Sequence, residues 1–192
     1  RNDLAPGAVV ETFRAMWSGR AESDGFAVLV LTAGLSWREV VILRAYAQFL
    51  RQSTLPYGRK RIETVLTSHP DIAAALVSLF HAHFDPTLSD DRPALVDERR
   101  RVVRELVDEV EGLDADRIFR AYLDAIEATD RTNFHRPGAL GSERPQLSFK
   151  LRSQDIPVLP EPRPQHEIFV YSPDVEGVHL RFGAVARGGI RW

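Results

Sequence analysis

Near its C-terminal end the chain reads Arg187-Gly188-Gly189-Ile190-Arg191, two arginines bracketing a glycine pair. A guanidinium keeps its charge at any ordinary pH, and its planar fork of N–H donors matches a carboxylate or phosphate. Glycine lacks the Cβ that would hold a ligand away, so successive backbone N–H groups can face an anion. The spacing reads as an anion cradle. A Gly-Gly pair between strands also serves as a plain turn, and these five residues alone leave both readings open. A nucleotide-phosphate loop is excluded: Gly183 and Gly188 have its spacing, but Gly189 and Ile190 stand where Lys and Ser/Thr are required. No G-x-G-x-x-G opens a helix, so a dinucleotide fingerprint is also missing.

Other chemistry is thinly provided. The basic residues are nearly all arginine, with only Lys60 and Lys150 as lysines. Proton transfer at an amine-bearing carbon calls for a lysine of tuned pKa. Lys60 lies between Arg59 and Arg61, and Lys150 is remote in sequence from the cradle, so no catalytic residue is expected within the chain. The six histidines offer no metal-ligand spacing. His81 and His83 are two apart, which on a helix points them to nearly opposite sides. His166-Glu167 lacks the second histidine of a zinc-protease helix. No metal ligand is expected; His179, the histidine nearest the cradle, could act only as a supporting contact. Asp174 and Glu176 lie too close in a turn to be read as a glycosidase pair.

Composition narrows the class. The 192 residues suffice for one domain with a substantial core or for two small ones. Hydrophobic residues make up 44% and charged residues 27%, with a net charge of −2, which gives no support for nucleic-acid binding. Without cysteine there is neither disulfide nor thiolate chemistry, and this suits a cytoplasmic protein. The longest apolar stretch, Phe26–Leu31, is too short to cross a bilayer, and no secretory signal is visible. The chain begins without methionine and stops inside a motif, so a piece of a longer protein is expected.

The elements that must carry the cradle follow from periodicity. Val9, Phe13 and Met16, with Val10 and Trp17 beside them, mark a first amphipathic helix. Ser36-Trp37-Arg38-Glu39 is a capping box, opening a helix that buries Val40, Leu43, Ala47 and Leu50. A third helix carries Ile62, Val65 and Leu66, and Pro70 is placed to open a fourth that buries Ile72, Leu76, Leu79 and Phe80. Residues 89–131 hold thirteen acids and eight arginines over a stripe of Leu95, Val102, Leu106, Val110 and Leu113, the pattern of a solvated helix face. Residues 117–127 continue helically. From Asn133 the pattern changes: a Gly/Pro-rich loop, the alternating strand Leu147–Arg152, and four prolines between Pro157 and Pro164 that favour an extended connector. Two strands, Glu167–Ser172 and Val178–Phe182, then form a hairpin that delivers the chain to the cradle.

Several stretches resemble the large bacterial NAD-specific glutamate dehydrogenases: Glu167–Arg181 continuing to Val185–Trp192 above all, then Ala21–Phe26, Ala33–Val40, His69–Ala73, Phe84–Pro86 and Ile126–Thr129. Shorter glutamate dehydrogenases carry Lys-Gly-Gly-Leu/Ile-Arg at the matching place, the lysine gripping the substrate's distal carboxylate; here Arg187 occupies that position. The resemblance implies oxidative deamination of L-glutamate to 2-oxoglutarate and ammonium, with hydride passing to NAD, in a cytoplasmic homo-oligomer. Arg187, Gly188 and Gly189 would then form part of the substrate pocket, with Arg191 touching substrate or supporting the loop. The acid/base lysine, the catalytic aspartate and the NAD site are expected beyond Trp192, so no cofactor-binding residue falls within the chain. The expected fold is α+β: a helical domain over 1–132 that folds by itself, a loop, strand and Pro-rich connector over 133–166, and a β-hairpin over 167–192 opening the substrate-binding domain. A non-catalytic helical regulatory or assembly module is the alternative.

Overall fold

The computed structural model describes residues 6–88, 91–137 and 146–183. The expected α+β order is present, with the helices preceding the sheet. Helix α1 spans Pro6–Trp17, and a 3-10 turn over Gly25–Val28 runs into the single-turn α2, Leu29–Thr32. Helix α3 spans Trp37–Leu50 and opens on the complete capping box: Ser36 accepts from the Glu39 N–H, and the Glu39 side chain accepts from the Ser36 N–H. Helices α4, Arg59–Ser68, and α5, Pro70–Phe84, are separated only by His69, whose φ of −131° and ψ of 69° break the helical path. Pro70 stands in the first turn of α5, where a missing N–H is harmless.

Helix α6, Arg92–Asp108, is capped by the Asp91 side chain. Before α7, Leu113–Glu127, Gly112 has φ 107°, a conformation that favours glycine. Another glycine is fixed by contact rather than torsion: a Cβ on Gly25 would run into the Glu63 carboxylate, which accepts from the Gly25 N–H at 3.2 Å.

The sheet contains β1 Thr129–Thr132, β2 Leu147–Leu151, β3 His166–Tyr171 and β4 Glu176–Arg181, in that spatial order. All pairings are antiparallel. Register sets Leu147, Phe149 and Leu151 opposite Tyr171, Phe169 and Glu167, all on the buried face. That face packs on α3 and α5. The Tyr46 and Phe149 rings stack at 4.2 Å and 10°, Phe49 meets Phe169 edge-on at 5.7 Å, and Phe80 meets Phe149 at 6.2 Å. The Tyr46 hydroxyl and Thr129 Oγ1 lie 2.9 Å apart, and the Tyr122 hydroxyl donates to the Leu43 carbonyl at 2.9 Å. One hydrophobic cluster therefore runs through helices and strands alike.

Three details differ from the sequence reading. Helix α1 docks through Thr12 and Ala15, while Phe13 and Trp17 are 63% and 84% exposed; small residues allow the closer approach, and the larger apolar stripe faces outward. Helix α6 buries Val96, Val103 and Val107, one position on from the expected Leu95, Val102 and Leu106, which are only half-buried, and Leu113 is exposed. Residues 129–132, inside the span expected to be a helical domain, form a strand. At the far edge, Val178 and Leu180 pair with Phe169 and Glu167, yet they are 49% and 47% exposed because the helical layer stops short of β4.

Candidate functional site

The β3–β4 hairpin turns at Ser172–Val175, where the Ser172 N–H donates to the Val175 carbonyl at 2.8 Å and the Val175 N–H donates to Ser172 Oγ at 3.1 Å. Its second strand ends at Arg181, so the chain leaves the sheet edge a few residues before the cradle. Arg187, Gly188, Gly189 and Arg191 themselves lie outside the described residues.

Beneath the hairpin lies a charged network. Arg44, 1% exposed, grips Asp24 with two bonds, Nε to Oδ2 at 2.8 Å and Nη2 to Oδ1 at 2.7 Å. Arg59 Nη2 reaches the same Asp24 Oδ2 at 2.7 Å and also pairs with Glu22. The Tyr171 hydroxyl donates to Glu22 Oε1 at 2.7 Å, joining the network to β3. Burial alone would raise the Asp24 carboxyl, but Arg44 and then Arg59 outweigh it and hold the group below its ordinary value. Burial and the Glu22 carboxylate push the Tyr171 phenol upward, so it stays a neutral donor. A cavity of about 330 Å3 opens beside this network, lined by Glu22, Gln48, Arg51, Arg59, Tyr171 and the turn residues 172–176. Glu22, Asp24, Arg44 and Arg59 are matched to one another, and with Tyr171 they orient β3 on α3 and α4.

Histidines separate as their spacing requires. His83 approaches Glu127, which also receives two bonds from Arg100 at 2.8 and 2.9 Å. His81 turns the other way, to Glu39 and to His135. The sequence reading missed that Asp85 and His135 join His81 in one cluster; a separation of 54 residues left no local spacing to find it by.

The chain matches the sequence pattern of the bacterial NAD-glutamate dehydrogenase catalytic domain over residues 102–192 and that of glutamate dehydrogenase helical motif 3 over residues 21–86. It is 49% identical over 187 residues to the NAD-specific glutamate dehydrogenase of Mycobacterium tuberculosis and 48% identical over 185 residues to that of Pseudomonas aeruginosa, each alignment covering 95% of this chain. The chain belongs to the large bacterial NAD-specific glutamate dehydrogenases. It spans only 11% of the length of those two relatives. The enzyme of the same name from Neurospora crassa is 28% identical over 161 residues, covering 79% of this chain and 15% of that protein.

Within this glutamate dehydrogenase segment, the stretches that carry the resemblance have visible structural tasks. Glu22 and Asp24 hold the charged network, Ser36 and Glu39 cap α3, His69 and Pro70 make the α4–α5 corner, and Thr129 contacts Tyr46 in the core. They build the platform on which the hairpin rests.

Proposed function

We propose that this chain forms the helical platform and leading hairpin of the substrate-binding region in an NAD-dependent glutamate dehydrogenase. The reaction is oxidative deamination of L-glutamate to 2-oxoglutarate and ammonium in a cytoplasmic homo-oligomer. The observation that carries this reading is the 49% identity along nearly the whole chain to a protein named for that activity. The described hairpin supports it, because β4 ends at Arg181, a few residues before Arg187 in the sequence.

In this reading Arg187 binds a substrate carboxylate with its guanidinium fork, and Gly188 and Gly189 admit the ligand to the backbone. Arg191, four residues on in the sequence, supports the Arg187 segment or adds a second contact. NAD, when bound, accepts the hydride. The four described strands are all antiparallel, whereas a dinucleotide crevice of the doubly wound kind needs parallel strands with helix N-termini at their ends. The described residues do not fit NAD, and the nucleotide site is assigned to chain beyond Trp192. Among the described residues no helix is long and apolar enough to cross a membrane.

Arg187→Ala in the full-length enzyme tests the assignment. Losing a charge-assisted contact of roughly 1.5–3 kcal/mol lowers kcat/KM for glutamate about ten- to hundredfold, with NAD binding and melting temperature unchanged. Arg187→Lys restores part of the loss, since charge returns without the planar fork. Unchanged glutamate kinetics in a folded Arg187→Ala enzyme would remove this residue from the site.

A further inference from the structure

Three potential metal ligands converge where α5 ends. His81 lies in the last turn of α5, Asp85 terminates the helix, and His135 stands in the turn that follows β1. One ligand atom from each lies within 4.8 Å of the others. His81 Nδ1 and His135 Nε2 are 3.4 Å apart. Two nitrogens bound to one tetrahedral zinc at 2.0–2.1 Å stand roughly 3.3–3.4 Å from each other. The histidine pair is already spaced as two ligands of one ion.

The surroundings meet the further conditions of a metal site. Glu39 Oε1 lies 3.1 Å from His81 Nε2. Placing the proton on Nε2, where it donates to Glu39, leaves the Nδ1 lone pair facing His135. This is the carboxylate–histidine arrangement that orients metal-bound imidazoles.

Asp85 takes both of its bonds from Thr87, at 2.8 and 2.7 Å, on a single oxygen, Oδ1. Arg38 donates to the Phe134 carbonyl and Arg92 to the carbonyls of Ala82, His83 and Asp85, so both neighbouring cations are directed at backbone oxygens. The Phe80 and Phe134 rings pack on the imidazoles.

We propose that His81, His135 and Asp85 bind a divalent transition cation of the zinc class, with Glu39 orienting His81 from behind. The ion clamps the end of α5 to the turn leaving β1 and keeps a fourth position for water. Mixed imidazole and carboxylate donors favour zinc, cobalt or nickel over magnesium or calcium.

The test uses the full-length enzyme, stripped with a chelator and titrated with Co2+, whose visible absorption reports a tetrahedral site. The wild type takes up one equivalent per chain that His135→Ala and Asp85→Asn do not, and Zn2+ displaces it. Glu39→Gln weakens binding about ten- to hundredfold, while a glutamine still serves in the capping box. Circular dichroism and melting temperature of the metal-free variants identify those that fold, and at least one of His135→Ala and Asp85→Asn must do so for the comparison. Equal Co2+ uptake by the wild type and a folded variant overturns the proposal. So does the absence of stoichiometric uptake by the wild type, which would leave a plain imidazole–imidazole hydrogen bond at the same spacing.

Discussion

Arg44 and Asp24 show how much a single pair can decide. A guanidinium that is 1% exposed survives in the core only because a carboxylate meets it with two bonds. Asp24→Asn keeps the shape and removes the charge, so it should destabilise the chain by about 3–5 kcal/mol in chemical denaturation, the usual result of orphaning a buried ion. Glu39 and Glu127 add an acid-sensitive component. The His81 bond lowers Glu39 from 4.5 to about 2; for Glu127, burial works upward, but His83 and Arg100 prevail and reach the same value. A depressed folded pKa gives stability that is present above the unfolded value and lost as pH falls through the folded one. Melting temperature should therefore drop between pH 4.5 and about 2, and Glu39→Gln or Glu127→Gln should flatten that slope. Glu167 has the opposite sign: burial raises its pKa despite the Gln52 hydrogen bond, so its ionisation opposes folding at neutral pH. Glu167→Gln should then be neutral or stabilising at pH 7, whereas Gln52→Leu, which strands the carboxylate, should lose roughly 1–3 kcal/mol. None of these pairings was legible in the sequence, because Asp24 with Arg44, or Gln52 with Glu167, are joined only by the fold. The Ser36–Glu39 box was legible, since its partners are three residues apart.

Among the elements, helices announced themselves through periodicity and strands through alternation. The buried faces of α4 and α5 lie where their apolar spacing put them, and Pro70 opens α5 as its chemistry requires, whereas α3 buries every residue from Val40 to Leu50 and not one face alone. β1 was hidden because Thr-Asp-Arg-Thr has no apolar alternation; its pairing with β2 makes it a strand. Helix α1 teaches a different lesson, since an apolar stripe need not be the face that docks. Within this chain Phe13→Ser and Trp17→Ser should change stability by no more than about 0.5 kcal/mol. Ala15→Leu, at a fully buried position, should destabilise by roughly 1–3 kcal/mol through overpacking. If Trp17→Ser were the more damaging change, the docking face assigned to α1 would be wrong.

At the scale of the whole chain, the change from helical to strand pattern near residue 132 was plain in the sequence, but the core that crosses it was not. Which aromatic ring stacks on which is a matter of tertiary packing, invisible to any local window. The isolated 192 residues should show no glutamate-dependent reduction of NAD, because the described residues do not fit the nucleotide and no suitably placed lysine is present. A stiffer test concerns the helical portion alone. A chain ending at Thr132 keeps α1 to α7 but loses Phe149 and Phe169, and with them ring partners of Tyr46, Phe49 and Phe80. At roughly 3–5 kcal/mol for each aromatic removed from a core, those two residues account for about 6–10 kcal/mol. A domain's net stability is itself only about 5–15 kcal/mol. The truncated chain should therefore retain helical far-ultraviolet circular dichroism while losing the near-ultraviolet tyrosine signal and a sharp melting transition. A cooperative transition near that of the 192-residue chain would mean that residues 1–132 form a folding unit of their own, with the sheet as an addition to it.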